Sequence, residues 1–301
     1  MKYIFIVNPS AGEENNLEKI KKEISNNSLK DDCEIYVTKS LKDGAYYVKT
    51  YCEDHKGQEV RFIACGGDGT LSAVFNAVVG YDFAEVSCYP CGSGNDFVKT
   101  FGGTDKFLNI DALLNAKTQK IDLLKIDDMY SNNVVNFGFD TTVALTVNEG
   151  REKNGKAGKS LYTLGIIKAL AISMKNKFKV YADGELLNPD GIGLLCTLAN
   201  GQYVGGSFKC APRAKVNDGL IEVCLVKPIS RLSFVSLIDY YTKGKHLDDP
   251  KFEKIIVYRQ AKKVDVEAPE GFAYSLDGEI IKQNKFTVEI VPEIVKFAIP
   301  E

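Results

Sequence analysis

Short apolar runs alternate with segments of helical periodicity through the first third of the chain. Tyr3–Val7, Cys33–Val37, Val60–Cys65 and Glu85–Tyr89 are rich in β-branched and aromatic residues, which predicts buried strands. Leu17, Ile20 and Ile24 recur at helical spacing among lysines and glutamates, and Ala45, Val48 and Cys52 do so after a start at Asp43. Each set predicts a helix with one apolar face. Leu71, Val74, Phe75 and Val78 mark a third. Strand and helix in alternation predict a doubly wound, Rossmann-like α/β domain over residues 1–126.

The texture changes after residue 126. Longer strand-like segments, Lys177–Ala182, Ile192–Leu198 and Leu220–Val226, follow one another between turn signals, predicting a β-rich sandwich domain over residues 127–293. Asp183-Gly184 and Asp277-Gly278 have the composition of two-residue hairpin turns. Helices are predicted only over Ser160–Met174 and Ser233–Thr242. The first of these is the longest apolar stretch, yet it falls short of the roughly 20 residues of a membrane span and carries Lys168. It reads as a buried or cleft-lining helix. A chain of 301 residues suits two domains, and without a long flexible linker they are expected to pack directly, with a cleft between them.

Composition narrows the function classes. Apolar residues are 45% and charged residues 26% of the chain, an ordinary globular balance. The 38 basic and 40 acidic residues leave a net charge of -2, so no global field holds the chain on nucleic acid. Arg151, Lys153, Lys156 and Lys159 form a local basic run, suited equally to transient membrane-surface contact and to a solvated loop. Met1–Val7 is too short for a signal segment, and the eight scattered cysteines read as reduced thiols, so the expected address is the cytoplasm. Cys88 and Cys91 have no second pair to complete a zinc site. His55 and His246, in polar surroundings, read as surface residues, which argues against a histidine-based triad.

The candidate chemistry lies in two loops. Gly66-Gly67-Asp68-Gly69-Thr70 follows a predicted strand and opens a predicted helix, so its backbone N–H groups can approach a phosphate. Thr70 is placed to cap that helix. A carboxylate at Asp68 would repel a triphosphate unless a divalent cation intervened, which implies Mg²⁺. Gly92-Ser93-Gly94-Asn95-Asp96 repeats the arrangement one crossover later. On adjacent strands the two loops would face each other at the carboxyl ends, together with Asn8-Pro9-Ser10-Ala11-Gly12 and Thr38.

Asn8-Pro9-x-x-Gly12, Gly66–Thr70 and Gly92–Asp96 resemble, in order and spacing, the motifs of the diacylglycerol kinase catalytic family, especially its bacterial soluble lipid kinases. Lys120-Ile121-Asp122, Asn136–Asp140, Asn200-Gly201, Gly205-Gly206, Asn217–Leu220 and Leu276–Glu279 extend the resemblance over nearly the whole chain. It implies ATP held by Asn8, Pro9, Ser10, Gly12, Thr38, Gly66, Gly67, Asp68, Gly69, Thr70, Gly92, Ser93, Gly94 and Asn95, in the cleft between the two domains. It further implies Mg²⁺ organised by Asp68, Asp96 and, through water, Asp122. Either Asp277 and Glu279 or Asp68 would serve as base toward the hydroxyl of a lipid such as diacylglycerol. Residues 294–301 would return to the first domain. The structural metal that some members hold through Asp218 is in doubt, because Lys215 stands where they carry an acid and could pair with Asp218 instead. Candidates for the lipid pocket are Phe139, Leu161, Tyr162, Leu164, Ile166, Tyr203 and Phe208. Two alternatives stay open: a kinase of NAD or another small molecule, which shares the Gly-Gly-Asp-Gly-Thr loop, and a nucleotide- or lipid-binding regulator of weak activity. Homodimerisation is left open as well.

Overall fold

The computed structural model describes residues 1–12, 15–154 and 159–301. The chain divides into two compact units, residues 1–123 with 292–301, and residues 124–291. Lys156 of the basic run lies outside the described residues, as do the side chains of Arg151, Lys153 and Lys159.

The first unit is built from β1 (Lys2–Val7), α1 (Asn16–Ser25), β2 (Cys33–Val37), α2 (Leu41–Asp54), β3 (Val60–Gly66), α3 (Asp68–Val78), β4 (Ala84–Pro90), α4 (Asp96–Lys99) and α5 (Ile110–Leu114). β2, β1, β3 and β4 pair in parallel, in that order. Every residue of β3 is buried, as a parallel strand covered on both faces requires, so it reads as a continuous apolar run rather than an alternating one. The terminal segment adds a fifth parallel strand, with Phe297 opposite Val86. Phe297 packs against Phe75, Phe97, Phe101 and Phe107, and Ser87 Oγ donates to the Ala298 carbonyl at 2.8 Å.

One buried ion pair fixes the far side of this sheet. Arg61, 5% exposed, meets Glu85 at 2.8 Å and donates to the carbonyls of Leu113, Leu114 and Ala116. It thereby satisfies the unpaired carbonyls at the C-terminus of α5.

The second unit comprises β5 (Lys117–Ile126, entering from the first), β6 (Met129–Ser131), β7 (Val134–Gly138), α6 (Phe139–Asn154), α7 (Lys159–Ile172), β8 (Asn176–Lys177), β9 (Lys179–Ala182), β10 (Glu185–Leu186), β11 (Ile192–Gly193), β12 (Leu195–Ala199), β13 (Ile221–Val226), α8 (Arg231–Thr242), β14 (Ile256–Ala261), β15 (Lys263–Glu267), β16 (Ala273–Leu276), β17 (Glu279–Lys282) and β18 (Lys285–Ile299, leaving to the first). An antiparallel sheet runs β14-β13-β12-β7-β16-β17. Val135, Phe137, Cys196, Leu198, Val223 and Leu225 from this sheet share a core with Val180, Val264, Val266, Phe286 and Val288 of β9, β15 and β18. Alternate residues of the same strands, Leu195, Cys224 and Val226, pack on the other side with Phe139, Val143, Val147 and Phe234 of α6 and α8. Both hairpin turns form as the sequence predicts. Asp183-Gly184 and Asp277-Gly278 have positive φ at both positions, the conformation a two-residue turn of this hand needs.

Four expectations are corrected. Helix α6 was not predicted, because Phe139, Val143 and Val147 sit four apart among polar residues and give only one contact per turn. Helix α7 is buried on one face only: Leu164, Ile167 and Ile172 are 53%, 59% and 69% exposed, while Ala169 is buried and Leu161, Tyr162, Ile166 and Leu170 pack around it, two of them lining a cavity. The strand predicted over Lys177–Ala182 is interrupted at Phe178, whose ring is buried in the core. His246 is 1% exposed rather than at the surface; its Nε2 lies 3.1 Å from the Cys210 carbonyl, and burial pushes its pKa down to about 4.

Replacing Arg61 by Met leaves Glu85 and three carbonyls without their donor inside the unit. A loss of about 3 kcal/mol is expected, measured as a lowered urea midpoint.

Candidate functional site

In the first unit the chemistry-bearing loops meet at the carboxyl ends of β1, β3 and β4. The Asn8 side chain closes its own turn by accepting from Ser10 N at 3.0 Å, and its amide reaches Thr70 Oγ1 at 3.3 Å. Gly12 has φ 78°, and a Cβ there would lie 2.6 Å from the Cys91 carbonyl oxygen. Cys91 N in turn donates to the Gly66 carbonyl at 2.8 Å. The two glycine loops approach backbone to backbone, since a Cβ on Gly92 would overlap the Gly67 Cα. Asn95 holds the left-handed turn, φ 52°, that starts α4, with its side chain bonded to both N and O of Gly92.

Asp68 joins the two loops. Its Oδ1 accepts from Asp96 N at 2.6 Å and from Phe97 N at 3.4 Å, which caps α4 across the gap between strands. Thr70 is not the helix cap. Gly67 occupies that position, and Thr70 is buried one turn into α3. Asp96 is held by Lys99 at 2.8 Å. Asp122, fully buried, accepts from Glu293 N at 2.8 Å. Pro9, Ser10, Gly69 and Ser93 are exposed, and Thr38 is buried at the end of β2 with its N bonded to the Val7 carbonyl.

Among the described residues no three His, Cys, Asp or Glu side chains are grouped closely enough to hold a metal ion. Asp68 beside Asp96 is the arrangement that suits Mg²⁺ arriving with a nucleotide, because that ion keeps its waters and takes one or two carboxylates together with phosphate oxygens. Asp218 offers no comparable site: its carboxylate accepts from Leu220 N at 3.1 Å, and Lys215 is exposed and not paired with it among the described residues.

In the second unit Asp277 is committed to the backbone. Its carboxylate accepts from Ser131 Oγ at 2.7 Å and from the N–H groups of Asn132, Asn133 and Val134 at 3.1, 3.2 and 2.9 Å. Burial raises its pKa above the usual carboxylate value, against the pull of those four donors. Glu279, two residues on, is exposed at the start of β17.

An apolar cavity of about 130 Å³ lies in this unit between the six-stranded sheet and its helices. Phe139, Val143, Tyr162, Ile166, Phe208 and Phe234 are among its walls. Four of the seven lipid-pocket candidates thus line it; Leu161, Leu164 and Tyr203 do not. Asn136 and Asp140 reach it as well, and burial alone pushes the Asp140 carboxyl up to about 7. The burial of Asp140 at this cavity escaped the sequence, where it is one acid within a motif. Its environment is assembled from strands and helices far apart in the chain.

Residues 2–126 match the diacylglycerol kinase catalytic domain, and residues 133–299 match the YegS C-terminal NAD kinase beta sandwich-like domain. A protein of Alcanivorax borkumensis named "Probable lipid kinase YegS-like" is 27% identical over 274 residues, covering 90% of this chain and 84% of that protein. A Bacillus subtilis "Diacylglycerol kinase" is 28% identical over 220 residues, covering 72% and 70%. The crystal structure of a diacylglycerol kinase from Bacillus anthracis str. Sterne shares the fold, with TM-score 0.74 and 21% identity over 99% of this chain and 96% of that one.

The raised pKa of Asp140 has a thermodynamic consequence. The folded chain keeps this proton to higher pH than the unfolded chain, whose aspartates titrate near 4, so Asp140 lowers stability as pH rises from about 4 to about 7. Asp140→Asn is expected to be more stable than wild type at pH 8, with the gap closing by pH 4, as read from urea unfolding at each pH.

Proposed function

The chain belongs to the diacylglycerol kinase catalytic family, whose members are phosphotransferases with alcohol acceptors, and from that premise we propose that it transfers the γ-phosphoryl group of Mg-ATP to the hydroxyl of a lipid such as diacylglycerol. The observation that carries the acceptor class is the apolar cavity of the second unit, in a chain whose first unit holds two backbone loops in contact. A small polar acceptor such as NAD would find little to bond on those walls.

The residues divide the work. Backbone N–H groups of Gly66–Thr70 and Gly92–Asn95, with Asn8 and Ser10 beside them, take the phosphate oxygens. Mg²⁺, when bound near Asp68 and Asp96, supplies charge neutralisation for the phosphoryl group in flight. The acceptor oxygen forms its bond to the γ-phosphorus, the bond to the bridging oxygen breaks, and ADP leaves while the hydroxyl proton passes to a carboxylate. Glu279 is accessible for that proton, whereas Asp277 is bonded to four donors and acts chiefly by holding the hairpin that presents Glu279. Such a transfer depends more on positioning than on the base.

The acceptor arrives from a bilayer. Helices α7 and α8 line the cavity with Tyr162, Ile166, Phe234 and Ile238, while Leu164, Ile167, Leu232 and Val235 on the same helices are 53% to 85% exposed. A lipid surface that covers these side chains would repay their exposure.

Incubation with Mg-ATP and total bacterial lipid, followed by mass spectrometry, is expected to yield a phosphorylated lipid. ATP binding with no product would leave a regulator in its place, and NADP formation from NAD would make this an NAD kinase. Gly92→Ala is expected to weaken ATP binding at least tenfold, because its Cβ forces the loops apart, with calorimetry as the readout. Leu232→Asp combined with Val235→Asp should lower turnover of vesicle-embedded acceptor at least fivefold and leave a dispersed short-chain acceptor within twofold.

A further inference from the structure

The cavity walls are apolar except at one end. There the carboxylate of Asp140 and the amide of Asn136 come together, with Asn136 Nδ2 3.5 Å from Asp140 Oδ2. Asn136 is 4% exposed, and its Oδ1 has no hydrogen-bond partner among the described residues. A buried acceptor left open and a carboxylate held by one long contact are unfavourable in an empty site. The groups that face Asp140 bring no charge to relieve it: Cys224 on β13 and Tyr241 on α8 are both kept protonated by burial. By contrast, Asp277 in the same unit takes four donors.

We propose that Asp140 and Asn136 are the residues that read the acceptor's alcohol group, fixing it at the polar end of the cavity while the acyl part lies against the apolar walls. The inference rests on the reading of this cavity as the acceptor site. A hydroxyl matches the pair: its O–H hydrogen-bonds to the Asp140 carboxylate, which orients the alcohol before the proton passes on to Glu279 during transfer, and its oxygen accepts from the Asn136 amide. An ester or a methyl ether in that place brings no donor and leaves the carboxylate unsatisfied, so the pair selects free alcohols.

The test uses purified full-length protein, saturating Mg-ATP and micelle-dispersed dioctanoylglycerol, with kcat/KM measured from about pH 5 to 9. Wild type is expected to lose kcat/KM as pH falls through about 7, because the protonated carboxyl no longer accepts. Asp140→Asn is expected to lose about 10- to 100-fold in kcat/KM at pH 8 and to show no such limb, with ATP affinity unchanged. An Asp140→Asn enzyme within twofold of wild type, or one that keeps the limb, would overturn the assignment. So would a wild-type profile flat through about pH 7, a measurement that needs no variant. If wild type phosphorylates no lipid at all, the acceptor reading itself falls. If it is active and indifferent to Asp140→Asn, only the assignment of the reader falls.

Discussion

The first unit depends on a hydrogen bond between a side chain of one loop and the backbone of another. Asp68 begins α3, and its carboxylate caps α4 on the neighbouring strand. Beyond the bond from Cys91 N to the Gly66 carbonyl, the glycines at the point of approach have no side chains to interlock, and glycine-rich backbone loses more entropy on ordering than any other. The Asp68 bond sets the spacing of the loops, and the glycines permit the close approach that the bond demands. The two features are therefore one device. Substituting either leaves the other without purpose.

The second unit uses the same chemistry for a different end. Asp277 draws four donors from residues 131–134 and so pins the β16–β17 hairpin to the loop before β7. Asp140, six residues beyond that loop, has an equally short side chain and one weak contact. Burial raises both carboxyls, but only Asp277 is compensated. A carboxylate kept in an apolar cavity at a cost in stability is a feature that folding alone would discard, since an asparagine fills the same space without the charge. On the proposed acceptor reading, the contrast between the two acids is one of scaffold against recognition within one domain.

The parallel strands of the first unit were legible in the sequence because strands covered on both faces must be apolar throughout, and each such run is short and bounded by turn residues, unlike the longer apolar stretch that forms α7. The glycine loops were legible because composition and position coincide at strand ends. Helix α6 was not, since its buried apolar residues fall only every fourth position and the segment between them is polar, buried Thr141 and Thr146 included. Thr70 was misread as a cap because hydroxyl residues favour that place; Gly67 takes it, one turn earlier, so that the Gly92 backbone can pass. His246 was misread for a related reason. Its sequence neighbours are polar, and its burial comes from Cys210, Tyr241 and Phe252, which sequence distance conceals.

The absence of a three-carboxylate cluster among the described residues bears on how a cation would act here. A protein cage for Mg²⁺ needs near-octahedral oxygen ligands, which are costly to assemble and hold together against their own repulsion. In this chain the geometry of the loops is already set by Asp68 and the backbone of α4, with no ion required for it. The cation's ligands would then come largely from the phosphates and water, and its affinity would follow that of the nucleotide. Under the proposed function, loop order would be built into the fold and metal binding would come with the nucleotide.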